Sequence, residues 1–183
     1  MRPLLRLCLA LLPLLGCAPG RNLPQLPSGS DQYRLGPGDA VRLITYGEDG
    51  LTGQFLVSDA GNVALPLLGD VHAAGLTPAE LGQSVADKLK AAKLLRDPSV
   101  AAEVTAYRPI FVLGEVNKPG QYPYQPGMTM VTAAAVAGGF TYRAIEGYAS
   151  VVRTVDGQAM EAKAKRQTYL QPGDVVTVFE RRF

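Results

Sequence analysis

Ile110-Phe111-Val112-Leu113-Gly114-Glu115-Val116, Asn117-Lys118-Pro119-Gly120 and Gln121-Tyr122-Pro123-Tyr124 follow one another without a gap. They read as a strand, a tight turn and a returning strand. β formers fill the first arm. In the turn, Pro119 presets φ and Gly120 takes the position that needs φ above zero. Residues 129–137 then form a short alanine-rich helix closed by Gly138-Gly139, where glycine accepts the left-handed conformation that ends helices. Residues 150–155 and 158–162 flank Asp156-Gly157, a strong hairpin signal, and a last strand is expected over 174–180. Strand, turn, strand, short helix, hairpin and strand make this half of the chain α+β.

Working upstream, Val100, Ala102, Val104 and Ala106 alternate as a strand that stops before Pro109. Leu76-Thr77-Pro78-Ala79-Glu80-Leu81 predicts a helix start, with Thr77 as N-cap, Pro78 at the first helical position, Glu80 closing a capping box and Leu76 stapling onto Leu81. Leu81, Val85 and Leu89 recur at helical spacing, so one stripe is expected to pack on a sheet. Asp97-Pro98 ends that unit, because a residue before proline is pushed out of the helical region. Residues 54–57 and 62–65 predict a hairpin around Ser58-Asp59-Ala60-Gly61, followed by a short edge element near Val71. Tyr33-Arg34-Leu35-Gly36-Pro37-Gly38-Asp39 is a turn cluster feeding a strand over 40–46. The sequence Leu35-Gly36-Pro37-Gly38-Asp39 is echoed by Leu170-Gln171-Pro172-Gly173-Asp174, which reads as one turn type used twice, with Asp bonding backbone amides.

The start of the chain is an export address. Arg2 and Arg6 precede an apolar run too short to span a bilayer, which needs about 20 residues, and a small residue ends it. Leu14-Leu15-Gly16-Cys17 resembles the bacterial lipoprotein box. That resemblance implies a signal peptide over 1–16, cleavage after Gly16 and acylation of Cys17. Several acyl chains on one residue make anchoring effectively permanent, and Ala18, where lipoproteins kept at the inner membrane commonly have Asp, points to the outer membrane. Residues 17–32 carry Pro19, Gly20, Pro24, Pro27 and Gly29 without periodicity and read as a flexible tether.

Bulk composition excludes several classes. Arg2 and Arg6 leave with the signal and no acid does, so 18 basic and 16 acidic residues become 16 of each. A nucleic-acid binder normally shows a basic face, so no nucleic-acid partner is expected. Cys8 leaves with the signal and Cys17 is taken by lipid, so the fold stands without disulfides. Hydrophobic content of 47% against 19% charged marks a globular chain.

Four segments in order carry a further resemblance: residues 33–39, Leu65-Pro66-Leu67-Leu68-Gly69, Ala73-Ala74-Gly75-Leu76-Thr77, and residues 114–122. Together they resemble the polysaccharide biosynthesis/export family. The resemblance implies an export domain over 33–107, with mixed strands and one packed helix, and a soluble-ligand-binding β-grasp domain over 108–183. It further implies transport without chemistry and no cofactor. Subunits would form a periplasmic ring with the exported polysaccharide in its channel. An inner-membrane co-polymerase or chain-length regulator would be a partner. Long family members continue into an amphipathic membrane helix, whereas Glu180-Arg181-Arg182-Phe183 follows a strand directly, so the resemblance implies either a separate outer-membrane pore protein that supplies the exit or a short form that is only the periplasmic collar. Gly36-Pro37-Gly38 is too short for a phosphate loop and precedes a strand instead of a helix.

Individual residues sort as follows. Tyr122, Tyr124, Tyr142 and Tyr148 offer flat faces to sugar rings or else pack around the second core. Gly36, Pro37, Gly38, Asp39, Pro119 and Gly120 have geometric roles in turns. His72 is the only histidine and makes neither a metal constellation nor a catalytic pair. Glu48, Asp49, Glu103, Glu115 and Glu146 are the acids a glycosidase would need in a facing pair, and they read as solvated. The rival functions are a lipid-tethered glycan-binding or scaffold protein that never closes into a ring, and a polysaccharide-processing enzyme.

Overall fold

The computed structural model describes residues 19–26, 32–155 and 157–181. The export signal, Cys17, residues 27–31 of the expected tether and Asp156 of the hairpin lie outside the described residues.

The first domain is built on β1 (Ala40–Thr45), which lies antiparallel between β2 (Gly53–Leu56) and β5 (Val100–Ala106). Val41, Leu43 and Thr45 face inward, as the alternation requires. β3 (Asn62–Leu65) and β4 (Gly69–His72) form a separate antiparallel ribbon. This corrects the predicted hairpin. The Ser58 turn does form, with Gly61 N donating to Ser58 O at 2.8 Å, but β2 pairs with β1, where Thr45 N donates to Thr52 Oγ1 at 3.0 Å. The turn therefore passes the chain from one sheet to another. Its local chemistry was legible, but its pairing partner lies earlier in the chain.

Helix α1 (Pro78–Ala91) starts as expected. Glu80 N donates to Thr77 Oγ1 at 3.2 Å and Thr77 N to Glu80 Oε2 at 2.8 Å. Leu81, Val85 and Leu89 are buried. Gly82 lets the helix approach β5 closely, since a Cβ there would lie 2.7 Å from the Val100 carbonyl oxygen. Overpacking against backbone costs about 1–3 kcal/mol, and the helix-propensity gain of alanine offsets up to about 1 kcal/mol of that. Gly82→Ala is thus expected to lower the urea midpoint, and a variant as stable as the parent would show that α1 can shift outward freely.

The second domain comprises β6 (Ile110–Gly114), β7 (Gly120–Tyr122), α2 (Met130–Val136), β8 (Ala144–Val155), β9 (Gln158–Lys165) and β10 (Val175–Glu180). The sheet order is β7-β6-β10-β8-β9, with β6 and β10 parallel and every other pair antiparallel. Counted within the domain this is 2-1-5-3-4, with the helix between the second and third strands, a β-grasp arrangement. Met130, Ala133, Ala134 and Ala137 join a core with Ile110, Val112, Val151 and Val176. β8 begins six residues earlier than expected. Glu146-Gly147 looks like a break, yet β8 is paired with β9 as far as Tyr148 opposite Lys165 and with β10 at Ala144 opposite Glu180.

Residues 19–26, read from the sequence as tether, lie instead along the second domain. Leu26 is buried in its core, and Gln25 forms a parallel bridge to Lys163. Proline and glycine leave a segment without its own periodicity, but an edge strand supplies the missing partners from outside.

Candidate functional site

The two domains meet at Arg108, which sits between the two echoed turns. Each turn has the same bonding. In the first, Gly36 N donates to Asp39 Oδ2 at 2.8 Å and Asp39 N to Gly36 O at 3.1 Å. In the second, Gln171 N donates to Asp174 Oδ2 at 2.7 Å and Asp174 N to Gln171 O at 3.1 Å. Gly38 and Gly173 take φ of 90° and 87°, which a side chain strains against. Beyond each turn the Asp carbonyl accepts a backbone amide at 2.9 Å, from Val57 in one case and from Phe111 in the other.

Arg108 bonds both turns. Its backbone N donates to Asp39 Oδ1 at 2.8 Å, its Nη1 reaches Asp39 Oδ2 at 3.4 Å, and its Nε donates to the Pro172 carbonyl at 2.9 Å. The guanidinium lies so close that a Cβ on Gly36 would be 1.7 Å from Nη1, and one on Gly173 2.9 Å from Nε. The planar fork of arginine suits two acceptors at once in a way that a lysine ammonium does not. Asp39 is fully buried, and its charge is met by these donors and by the Tyr33 hydroxyl. On the far side of the second turn, Asp174 takes a buried two-point grip from Arg153, Nε to Oδ1 at 2.9 Å and Nη2 to Oδ2 at 2.7 Å.

Three tyrosines line the junction. Tyr33 and Tyr107 are 5.0 Å apart between ring centroids and Tyr107 and Tyr124 5.5 Å, both edge to face, and the Arg108 guanidinium lies 5.9 Å from the Tyr33 centroid. Burial first, then the hydrogen bond to Asp39 and the charge of that carboxylate, holds the Tyr33 hydroxyl protonated far above its ordinary value of 10.0. Burial likewise pushes the Tyr124 hydroxyl up. A folded pKa raised above the unfolded one contributes stability that is complete below the unfolded value and lost as pH rises past it. Wild-type stability is therefore expected to fall with pH above about 10, and Tyr33→Phe to flatten that alkaline slope. At neutral pH the variant should lose about 1 kcal/mol for the hydrogen bond. Denaturation midpoints across an alkaline series check both, and an unchanged slope would remove Tyr33 as its source.

The residues singled out from sequence divide between this junction and elsewhere. Gly36, Pro37, Gly38 and Asp39 form the first turn of the clasp. Pro119 lies in the turn that holds the end of α2, where Asn117 Nδ2 donates to Gly138 O and Lys118 N to Ala137 O, both at 2.8 Å, whereas Gly120 opens β7 opposite Val112 and does not take the positive φ expected of it. Tyr124 is in the tyrosine row, Tyr122 bonds the Lys118 carbonyl, and Tyr142 is 88% exposed. Tyr148 packs on Phe179. Strands β7 and β8 are three positions apart in the sheet, about 14 Å, so Tyr122 and Tyr148 share no single sugar-sized face. Glu103 lies 3.8 Å from Arg42 and Glu146 3.5 Å from Arg166. Among the described residues no group of His, Cys, Asp and Glu could hold a metal ion, and no helix is long and apolar enough to cross a membrane. Sequence reading missed Arg108 and Arg153. The signal was the echo itself, because two Gly-Asp turns leave two carboxylates in need of cations.

These features define a two-domain α+β protein in which a small-sheet domain with one packed helix is clasped onto a β-grasp module. Residues 27–105 match the family model described as polysaccharide biosynthesis/export protein, and residues 109–162 match the SLBB domain. The chain belongs to the polysaccharide biosynthesis/export family. It is 34% identical over 121 residues to the exopolysaccharide production protein ExoF of Rhizobium meliloti (strain 1021), covering 60% of this chain and 29% of that protein. It is 29% identical over 109 residues to the polysialic acid transport protein KpsD of Escherichia coli, covering 58% of this chain and 19% of that protein. The chain thus spans less than a third of the length of these curated relatives.

Proposed function

We propose that this protein is a non-enzymatic, lipid-anchored component of a polysaccharide exporter, held at Cys17 on the periplasmic face of the outer membrane, whose copies close into a ring around the passing polymer. The observation that carries this reading is the clasp. A ring closes only if one face of each copy meets a different face of the next at a fixed angle. Arg108, bonded to both turns, makes two family domains one body able to present such faces. An inner-membrane co-polymerase or chain-length regulator would drive the polymer.

The acylated protein in mild detergent is expected to run as a discrete ring by native mass spectrometry and electron microscopy. A persistent monomer at high concentration, with and without the acyl group, favours the tethered scaffold instead. Deletion should abolish secreted polymer, and a variant with Glu48, Glu103 and Glu115 all changed to Gln should restore it. Failure of that variant to restore secretion while folding normally would reopen the enzyme reading. Cys17→Ala should release the protein from membranes.

A further inference from the structure

Leu67 stands at the tip of the β3–β4 ribbon with φ of 66° and 77% of its surface exposed. A positive φ strains any residue with a Cβ, and a bulky side chain held there marks a special position. Among the described residues one other non-glycine residue shares it, Lys93 at φ of 57°, and there the reason is local. Lys93 follows α1, and its left-handed turn lets Leu94 N donate to Leu89 O at 3.1 Å, which closes the helix. The ribbon turn runs from Leu65 to Gly69, which are paired, and a glycine at position 67 would make it without strain. With its side chain held out to solvent, Leu67 gains little burial within the subunit to offset that strain.

The turn lies at one end of α1 and an open hollow at the other. Pro66 and Leu68 wall a small cavity with Val85 and Leu89, and Lys88 Nζ donates to the Asp70 carbonyl at 3.5 Å, so the tip stands beside the last turns of the helix. The hollow, of about 700 Å³, is lined by Tyr33, Pro78, Ala79, Val100, Ala101 and Ala102, beside the first turn. From Pro78 to Leu89 the helix rises about 17 Å, which keeps the tip and the hollow of one copy apart. Exposed Tyr46 and Leu94 extend the apolar surface at the tip end. Charge is matched as well. α1 carries Lys88 and Lys90 in its last turn and Glu80 in its first, while Asp70 lies beside the tip and half-exposed Arg34 beside the hollow. Each end thus offers both signs, with Lys88 and Lys90 suited to Glu80, and Asp70 to Arg34.

We infer that the Leu67 turn of one copy seats in the hollow at the start of α1 in a second copy, so that first domains join head to tail. A tip and a hollow at opposite ends of one domain make a heterologous contact, the kind that builds rings. The inference supplies a contact for the ring proposed above and rests on that reading.

The test uses the acylated protein in mild detergent. Leu67→Gly should raise the urea midpoint, because the left-handed strain is gone. It should also raise the concentration for half-assembly about tenfold or more, the loss expected for one buried leucine. Ala79→Trp, which fills the hollow, should weaken assembly similarly with an unchanged midpoint. Leu67→Cys combined with Ala79→Cys, oxidised with copper phenanthroline, should give a ladder of disulfide-linked oligomers, and either cysteine alone should give none. Dimers from Leu67→Cys alone would mean that two tips meet, which overturns the seating. A Leu67→Gly variant that assembles like the parent, or whose midpoint falls, overturns it too. Rings whose paired cysteines do not cross-link overturn the seating and leave the ring reading intact. Cross-linked ladders that microscopy shows as open chains keep the seating and remove the ring. A parent that stays monomeric at high concentration removes both.

Discussion

Asp174→Ala is expected to destabilise the protein by about 3–5 kcal/mol, because it leaves the Arg153 guanidinium buried without its counter-charge. Both side chains are nearly inaccessible, at 6% for Arg153 and 1% for Asp174. Water therefore cannot take over the bonds that Asp174 makes. The same change removes the acceptor for Gln171 N and loosens the turn that presents the Pro172 carbonyl to Arg108. The paired variant Arg153→Met with Asp174→Leu should recover much of the loss, since apolar replacement of a buried ion pair is often neutral. Guanidinium denaturation of the two singles and the double gives the coupling directly. A single variant within about 1 kcal/mol of the parent would mean that the pair is solvated, contrary to its burial.

Arg108→Ala should act differently, on the coupling of the domains more than on either core. Asp39 keeps the backbone donors of Gly36 and Arg108 and the Tyr33 hydroxyl, so the stability loss is expected to be about 1–3 kcal/mol. What disappears is the bond to Pro172 that ties the first turn to the second. One cooperative calorimetric transition should then divide into two, and small-angle scattering should show a broader distribution of inter-domain distances. Arg108→Lys should fall between parent and alanine variant, since an ammonium cannot place two fixed donors on two acceptors. If the alanine variant unfolds in one step with unchanged scattering, the clasp does not set the domain arrangement. Under the proposed ring, the same variant should also assemble poorly.

What could be read from the sequence was whatever depends on neighbours in the chain. The capping box at Thr77 and Glu80, the stripe of Leu81, Val85 and Leu89, and the glycine-terminated helix after Thr129 are encoded within a turn or two, and they are present as expected. The pairing of residues 54–57 was misjudged because alternation marks a strand without naming its partner, and β1 competes with β3 for it. The length of β8 was hidden because Gly147 looks like a breaker until its bonds to β9 and β10 are known. Residues 19–26 look featureless, since their partners on β9 lie more than 130 positions away. The clasp was half visible. The repeated Leu-x-Pro-Gly-Asp pattern identified both turns, but nothing in a one-dimensional reading brings positions 36 and 173 to opposite sides of Arg108.

The place of β10 has a consequence for how the chain is made and moved. This strand, the last among the described residues, is inserted at the centre of the second sheet, between β6 and β8, which emerge from ribosome or translocon before it. Until Val175 and the residues after it are out, the two halves of that sheet have no middle, and the hydrophobic side chains meant for it stay wet. Folding that waits on such distant contacts is slow to begin. Under the export proposed above the chain is threaded unfolded through a membrane, and that delay keeps its second domain open until β10 has emerged.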